Sequence, residues 1–224
     1  MANRLKYAAH NALFGIGLLA LPWGAPQALI DISPKVLEVD DEQAVVNVIN
    51  TGDKPEFVTV TLYQVTNPGV PSGEEQTIPL GLIKDPSLYA TPFKLSLGPR
   101  QQKQVQLKVL KNTTKEKVYR LAVIPEQKAS ISGTQDNVML VGLGYMGLVR
   151  QLPPVQTTAW RHRCGTDGIT LEATGTVRTA FTELKQDGKD LGDFNLYPDA
   201  PRTLVAKTLS GKVESKPFNV TCGA

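Results

Sequence analysis

From residue 30 onward, short runs of alternating apolar and polar residues follow one another, each closed by a glycine, proline or asparagine. In residues 57–65 (FVTVTLYQV), Val58, Val60 and Leu62 share one face, and Thr59, Thr61 and Tyr63 the other. In residues 101–110 (QQKQVQLKVL), Val105, Leu107 and Val109 oppose Gln104, Gln106 and Lys108. A period of two is that of a half-buried strand, and it predicts strands at both places. Residues 44–50 (AVVNVIN) and 117–125 (KVYRLAVIP) read the same way, with Thr51-Gly52-Asp53 and Asn67-Pro68-Gly69 as turns. No segment carries a long helical period, so the fold class predicted is all-β. After Pro153-Pro154, a natural boundary, further strands are expected in GITLEATG, TVRTAFTEL, GDFNLYP, RTLVAKT and KPFNVTC. Two sandwich domains, 29–152 and 153–224, fit this succession better than one barrel.

Residues 138–152 (VMLVGLGYMGLVRQL) are apolar on both faces and carry Gly142, Gly144 and Gly147 as G-x-G-x-x-G. A dinucleotide-binding turn needs the N-terminus of a helix directly behind those glycines, and an acidic residue about twenty positions on. Asp167 meets the second condition. The first fails, because only 148–152 remain before Pro153-Pro154, too few residues for a helix to propagate. The run is therefore expected to be one long strand. Met139, Val141, Leu143, Tyr145 and Val149 share one face, and Val138, Leu140, Met146 and Leu148 the other. A strand this apolar is either covered on both sides as an internal strand or offered to a partner by β-augmentation.

The first 28 residues stand apart. Arg4 and Lys6 precede a short apolar stretch, ALFGIGLLALPWG, and then APQA, a cleavable secretory signal peptide by pattern. The mature chain is then exported and not embedded in a membrane. In an oxidising compartment the two cysteines of the chain, Cys164 and Cys222, suggest one disulfide closing the second domain; two buried free thiols are the alternative. A net charge of +3, with lysines and arginines spread along the chain, leaves no footprint of a nucleic-acid binder. His162 is the only imidazole outside the signal segment, and no nucleophile elbow or paired carboxylates stand out, so no enzyme, metal or cofactor is expected.

Several stretches resemble the periplasmic pilus-assembly chaperones of the chaperone–usher pathway. The likeness is to the alternate branch serving colonisation-factor and cable-type fimbriae. SPKVLEV (33–39) is similar to the first strand of that family, and VNVINTGDKPEFVTVTLYQVTNPG (46–69) to the second and third. LYATPFKLSLGPRQQKQVQL (88–107), KEKVYRLAVIPE (115–126) and GYMGLVRQLP (144–153) follow in the family's order. The resemblance implies two immunoglobulin-like domains at an angle, with a cleft between them. It implies a strand, here Met139, Val141, Leu143 and Tyr145, lent to a fimbrial subunit that lacks its own last strand. It also implies cleft cations that hold the subunit's C-terminal carboxylate, by place Lys35 and Arg150, and an outer-membrane usher that receives the complex. Whether the free protein caps its strand by dimerising is left open. A secreted two-domain adhesion or structural β-sandwich is the competing reading of the same strands. The dinucleotide reading makes its own demand: NAD titrated into purified protein should quench fluorescence saturably, and no such quench is expected.

Overall fold

The computed structural model describes residues 29–40, 43–126 and 144–223. The signal peptide and the proposed contact residues Met139, Val141 and Leu143 lie outside them. The described chain is all-β, eighteen strands with two single-turn 3-10 helices. One sheet of the first sandwich runs β1 (Ile30–Ser33), β3 (Gln43–Asn50), β8 (Gln102–Val109), β6 (Leu88–Thr91). The facing sheet runs β2 (Val36–Val39), β10 (Tyr145–Gln151), β9 (Lys117–Pro125), β4 (Glu56–Val65), β5 (Thr77–Pro79), with β7 (Lys94–Leu97) also paired to β4. The chain leaves one sheet after Ser33 and joins the other at Val36, so β1 and β2 close both sheets at one side.

Alternation decided these faces. Val58, Val60 and Leu62 of β4 and Val105 and Leu107 of β8 are buried in one core with Tyr119, Leu121 and Val123 of β9. Gln104, Gln106 and Lys108 are exposed. Burying such side chains contributes roughly 1.5–3 kcal/mol each before entropy is charged against it. The glycine run needs no cofactor to explain Gly147. A Cβ there would press on Ile32 Cδ1 in the buried core, so a side chain at this position would require Ile32 to move. Behind Gly147 the backbone continues as strand to Gln151, and no helix N-terminus follows.

The second sandwich pairs β11 (Trp160–Gly165), β12 (Gly168–Ala173) and β16 (Arg202–Leu204) in one sheet. The other holds β14 (Lys189–Asp190), β13 (Thr179–Gln186), β17 (Thr208–Val213) and β18 (Lys216–Thr221), with β15 (Phe194–Leu196) beside β13. No sheet mixes strands from before Leu152 with strands after it. Phe181 is fully buried, ringed by Trp160, Phe194 and Phe218 at 5.2–5.6 Å centroid spacings between partners. Three strands here were not expected from the sequence: the two-residue β14, β11 and β17. WRHRCG of β11 is exposed almost throughout, so it carries no apolar alternation. TLSGKV of β17 is broken by Gly211, where a Cβ would lie 2.8 Å from the Thr182 carbonyl oxygen.

Cys164 at the end of β11 is bonded to Cys222 beyond β18, which ties the edge of one sheet to the chain end in the other. Closing a loop of 58 residues limits the unfolded chain, by about 4 kcal/mol in the chain-entropy picture. Replacing both cysteines by serine should lower the unfolding free energy by about that amount. Denaturant melts of the two forms check it; coincident midpoints would show that the bond adds nothing.

Candidate functional site

The strand singled out by the sequence, β10, sits between two neighbours. Against β9 it is antiparallel along its whole length, from Tyr145 opposite Val123 to Gln151 opposite Lys117. Against β2 it is parallel, and only Leu148 to Gln151 are matched, with Val36 to Val39. Among the described residues no strand pairs with Tyr145, Met146 or Gly147 on that side. The seam ends where the Leu148 N–H donates to the Lys35 carbonyl at 2.9 Å. β10 thus presents an open edge that begins beside Lys35.

Tyr145 is half-buried against the first core and Val149 is buried within it, so odd positions face inward. Met146 points outward and is exposed, and Leu148 packs with Val65, Val118 and Tyr197 between the sandwiches. Lys35 stands at the head of β2 with its ammonium 5.2 Å from the Tyr145 ring centroid and 3.7 Å from Asp31. The Tyr145 side chain first, and then the Asp31 carboxylate, hold its pKa above the ordinary lysine value. The Lys35 side chain is 63% exposed, so this positive charge is accessible.

Arg150 is placed differently. Its side chain is 7% exposed and its Nε and Nη2 donate to the two oxygens of Glu116, at 2.6 and 3.0 Å. Nη1 donates to Glu38 on β2. Burial works against this charge, and the hydrogen bonds and attraction of Glu116, then Glu38, outweigh it, so the Arg150 pKa is raised. The guanidinium expected to receive an incoming carboxylate already holds two. Glu116 itself reaches across the domain boundary. Its carboxylate accepts the Arg178 backbone N–H at 2.7 Å, and its own N–H donates to the Thr176 carbonyl at 2.8 Å. The pair is a pin between the sandwiches, and its alignment by place could not reveal a partner 34 residues away.

A groove of about 440 Å³ lies between the domains, lined by Val118, Arg120 and Leu148 on one side and Phe194, Tyr197 and Arg202 on the other. Sequence reasoning missed its two arginines. Arg120 is held by Glu75 through two hydrogen bonds, at 2.8 and 2.6 Å, and those bonds raise its pKa. Arg202 lies 4.1 Å from the Phe194 ring centroid. A signal for Arg120 was present: it is the one charge on the outward face of an otherwise apolar strand, between Val118 and Ala122.

No family model matches the chain, and no curated protein matches it by sequence. Solved structures do match. The class 5 fimbriae chaperone CfaA superposes with a TM-score of 0.67 at 18% identity, covering 87% of this chain and 99% of that one. The SafB chaperone of Salmonella enterica, solved in complex with the SafA pilin, gives 0.59 at 13% identity over 88% and 98%. The CsuC chaperone, from a chaperone–tip subunit complex of archaic Csu pili of Acinetobacter baumannii, gives 0.52 at 14% over 86% and 97%. The fold is that of the fimbrial chaperones.

Within this chaperone fold the Glu116–Arg150 pair has a measurable role. Glu116→Ala leaves a buried guanidinium half-paired and should cost about 3–5 kcal/mol of stability. It should also loosen the domains relative to one another in small-angle scattering. Lys115→Ala, which breaks an exposed pair with Asp199 at 2.6 Å, should cost under about 1 kcal/mol. Equal melting and scattering for Glu116→Ala and the parent would remove the pin.

Proposed function

We propose that the chain is a periplasmic chaperone for fimbrial subunits, exported by its N-terminal signal peptide. It lends Met139, Val141, Leu143 and Tyr145 to a subunit lacking its last strand and passes the subunit to an outer-membrane usher. The observation that carries this reading is the open edge of β10 ending at Lys35. A strand added along that edge in line with β2 runs parallel to β10. It must stop where β2 begins, so its C-terminus arrives at the Lys35 ammonium. Backbone hydrogen bonds supply affinity in such an addition and alternate side chains supply specificity. By sequence parity Met139, Val141 and Leu143 share the odd positions of Tyr145, whose ring packs against the first core. Their side chains would extend that core into the subunit.

Lys35 is the proposed anchor for the subunit's carboxylate. Arg150 serves this reading from behind the site, by holding β10, β2 and the second domain in register through Glu116 and Glu38. In the free protein a second copy can occupy the same edge, which would make a self-capping dimer. The fold shared with fimbrial chaperones supports the reading, as do complexes in which such chaperones hold a pilin or a tip subunit. No chemistry is required of the chain, and the proposed domains are 29–152 and 153–224.

Co-expression with a fimbrial subunit in the periplasm, followed by co-purification, tests this. Changing Val141 and Leu143 together to Asp should leave the circular dichroism and melting of the chain unchanged and abolish recovery of the subunit. Recovery at the parent level would refute strand donation, and a chain that no longer folds would mark the strand as internal. Lys35→Ala should weaken capture about tenfold, the scale of one charge-assisted hydrogen bond.

A further inference from the structure

Of the cations on or beside the sheet formed by β2, β10 and β9, Lys117 donates to the Ser87 hydroxyl at 3.3 Å, while Arg150, Arg120 and Lys35 are paired with carboxylates. Arg150 has Glu116 and Glu38, with the arginine and Glu116 side chains 7% and 0% exposed. Arg120 has Glu75, joined by two hydrogen bonds in a partly buried pair. Lys35 has Asp31, in a single 3.7 Å contact with side chains 63% and 38% exposed. Breaking a buried, multiply bonded pair costs several kcal/mol. An exposed single contact is worth about 0–1 kcal/mol. Glu116 and Glu75 have little or no exposed surface, and Glu38 is exposed but its partner Arg150 is buried. Lys35 with Asp31 is the pair in which both members are open to solvent, so an arriving carboxylate can be exchanged for Asp31 at little cost.

Asp31 is also fixed independently of Lys35. Its Oδ1 accepts the Ile32 N–H at 2.8 Å, and its residue is held in β1 opposite Ile49. A carboxylate held in this way keeps its place in β1 when the ammonium turns to a ligand, and is there to take the ammonium back when the ligand leaves. It stands at the point where the open edge of β10 ends, the place a strand terminus would reach.

We propose that Asp31 is a built-in competitor: it occupies Lys35 in the free chain and is displaced by the terminal carboxylate of a bound polypeptide. The exposed pair sets the size of the effect and lowers affinity for every carboxylate-terminated partner alike. A captured strand is thereby easier to release. The proposal rests on Lys35 as the anchor, as argued above.

The test uses Asp31→Asn, which keeps an oxygen for the Ile32 N–H and removes the charge. Binding is read with the co-purifying fimbrial subunit. A subunit-free readout is acetate titrated into lysine-labelled full chain, with the Lys35 side-chain resonances followed by NMR. In both, Asp31→Asn should tighten binding about two- to fivefold at low salt. The gain should vanish at high salt, where exposed charges are screened. It should also vanish in a Lys35→Ala background. Unchanged or weaker binding by Asp31→Asn, with Lys35→Ala still weakening capture, overturns the competitor and leaves the anchor standing. A gain that survives in the Lys35→Ala background overturns it too, since Asp31 would then act elsewhere. Lys35→Ala without any effect on capture removes the anchor itself and the competitor with it.

Discussion

The buried pair between Glu116 and Arg150 is the contact on which the rest of the molecule depends. A carboxylate with no exposed surface is tolerated because three donors meet its two oxygens: two guanidinium N–H groups from β10 and one backbone N–H from the second sandwich. Through Nη1 the same guanidinium takes Glu38 and so couples β10 to β2. One cluster thus fixes the lower end of the β2–β10 seam and the relation of the two sandwiches. Above it, Ser87, Tyr119 and Gln151 close a buried polar network that ties the end of β10 to the opposite sheet. Below it, Val65, Val118, Leu148 and Tyr197 form the apolar contact between domains.

With that end held, the other end of β10 is left open. β2 begins only at Val36, so the strand's first three residues have a neighbour on one side alone among the described residues. Open edges are ordinarily protected because they recruit other chains. Among the described residues this edge ends at an exposed lysine. That combination is what the proposed strand donation rests on.

Much of the first sandwich was legible in the residues. Strict alternation in β4 and β8 named the buried side chains, because a half-buried strand has no other way to keep one face dry. The second sandwich was less so. β11 is an exposed edge with no apolar alternation after Trp160, and β17 is interrupted at Gly211 by a close backbone approach, so neither has a period to read. At the site, place along the chain put Arg150 and Lys35 in the same role. Burial separated them: one guanidinium is sealed between two carboxylates, and one ammonium is left in solvent with a single loose partner.

By itself the sequence determined the all-β class, the alternating faces and the apolar character of the run before Pro153. It also ruled out a helix behind the three glycines. Each of these follows from neighbours within a few residues, since strand period and turn chemistry are local properties. The tertiary structure alone decided which cation is buried, where β10 loses its second neighbour and why a side chain at Gly147 would displace Ile32. Those facts depend on residues brought together from distant parts of the chain: Glu116 with Arg150, Lys35 with Tyr145, Ile32 with Gly147. The energy of a charge depends on what surrounds it, and that surrounding is made only when the sheets close.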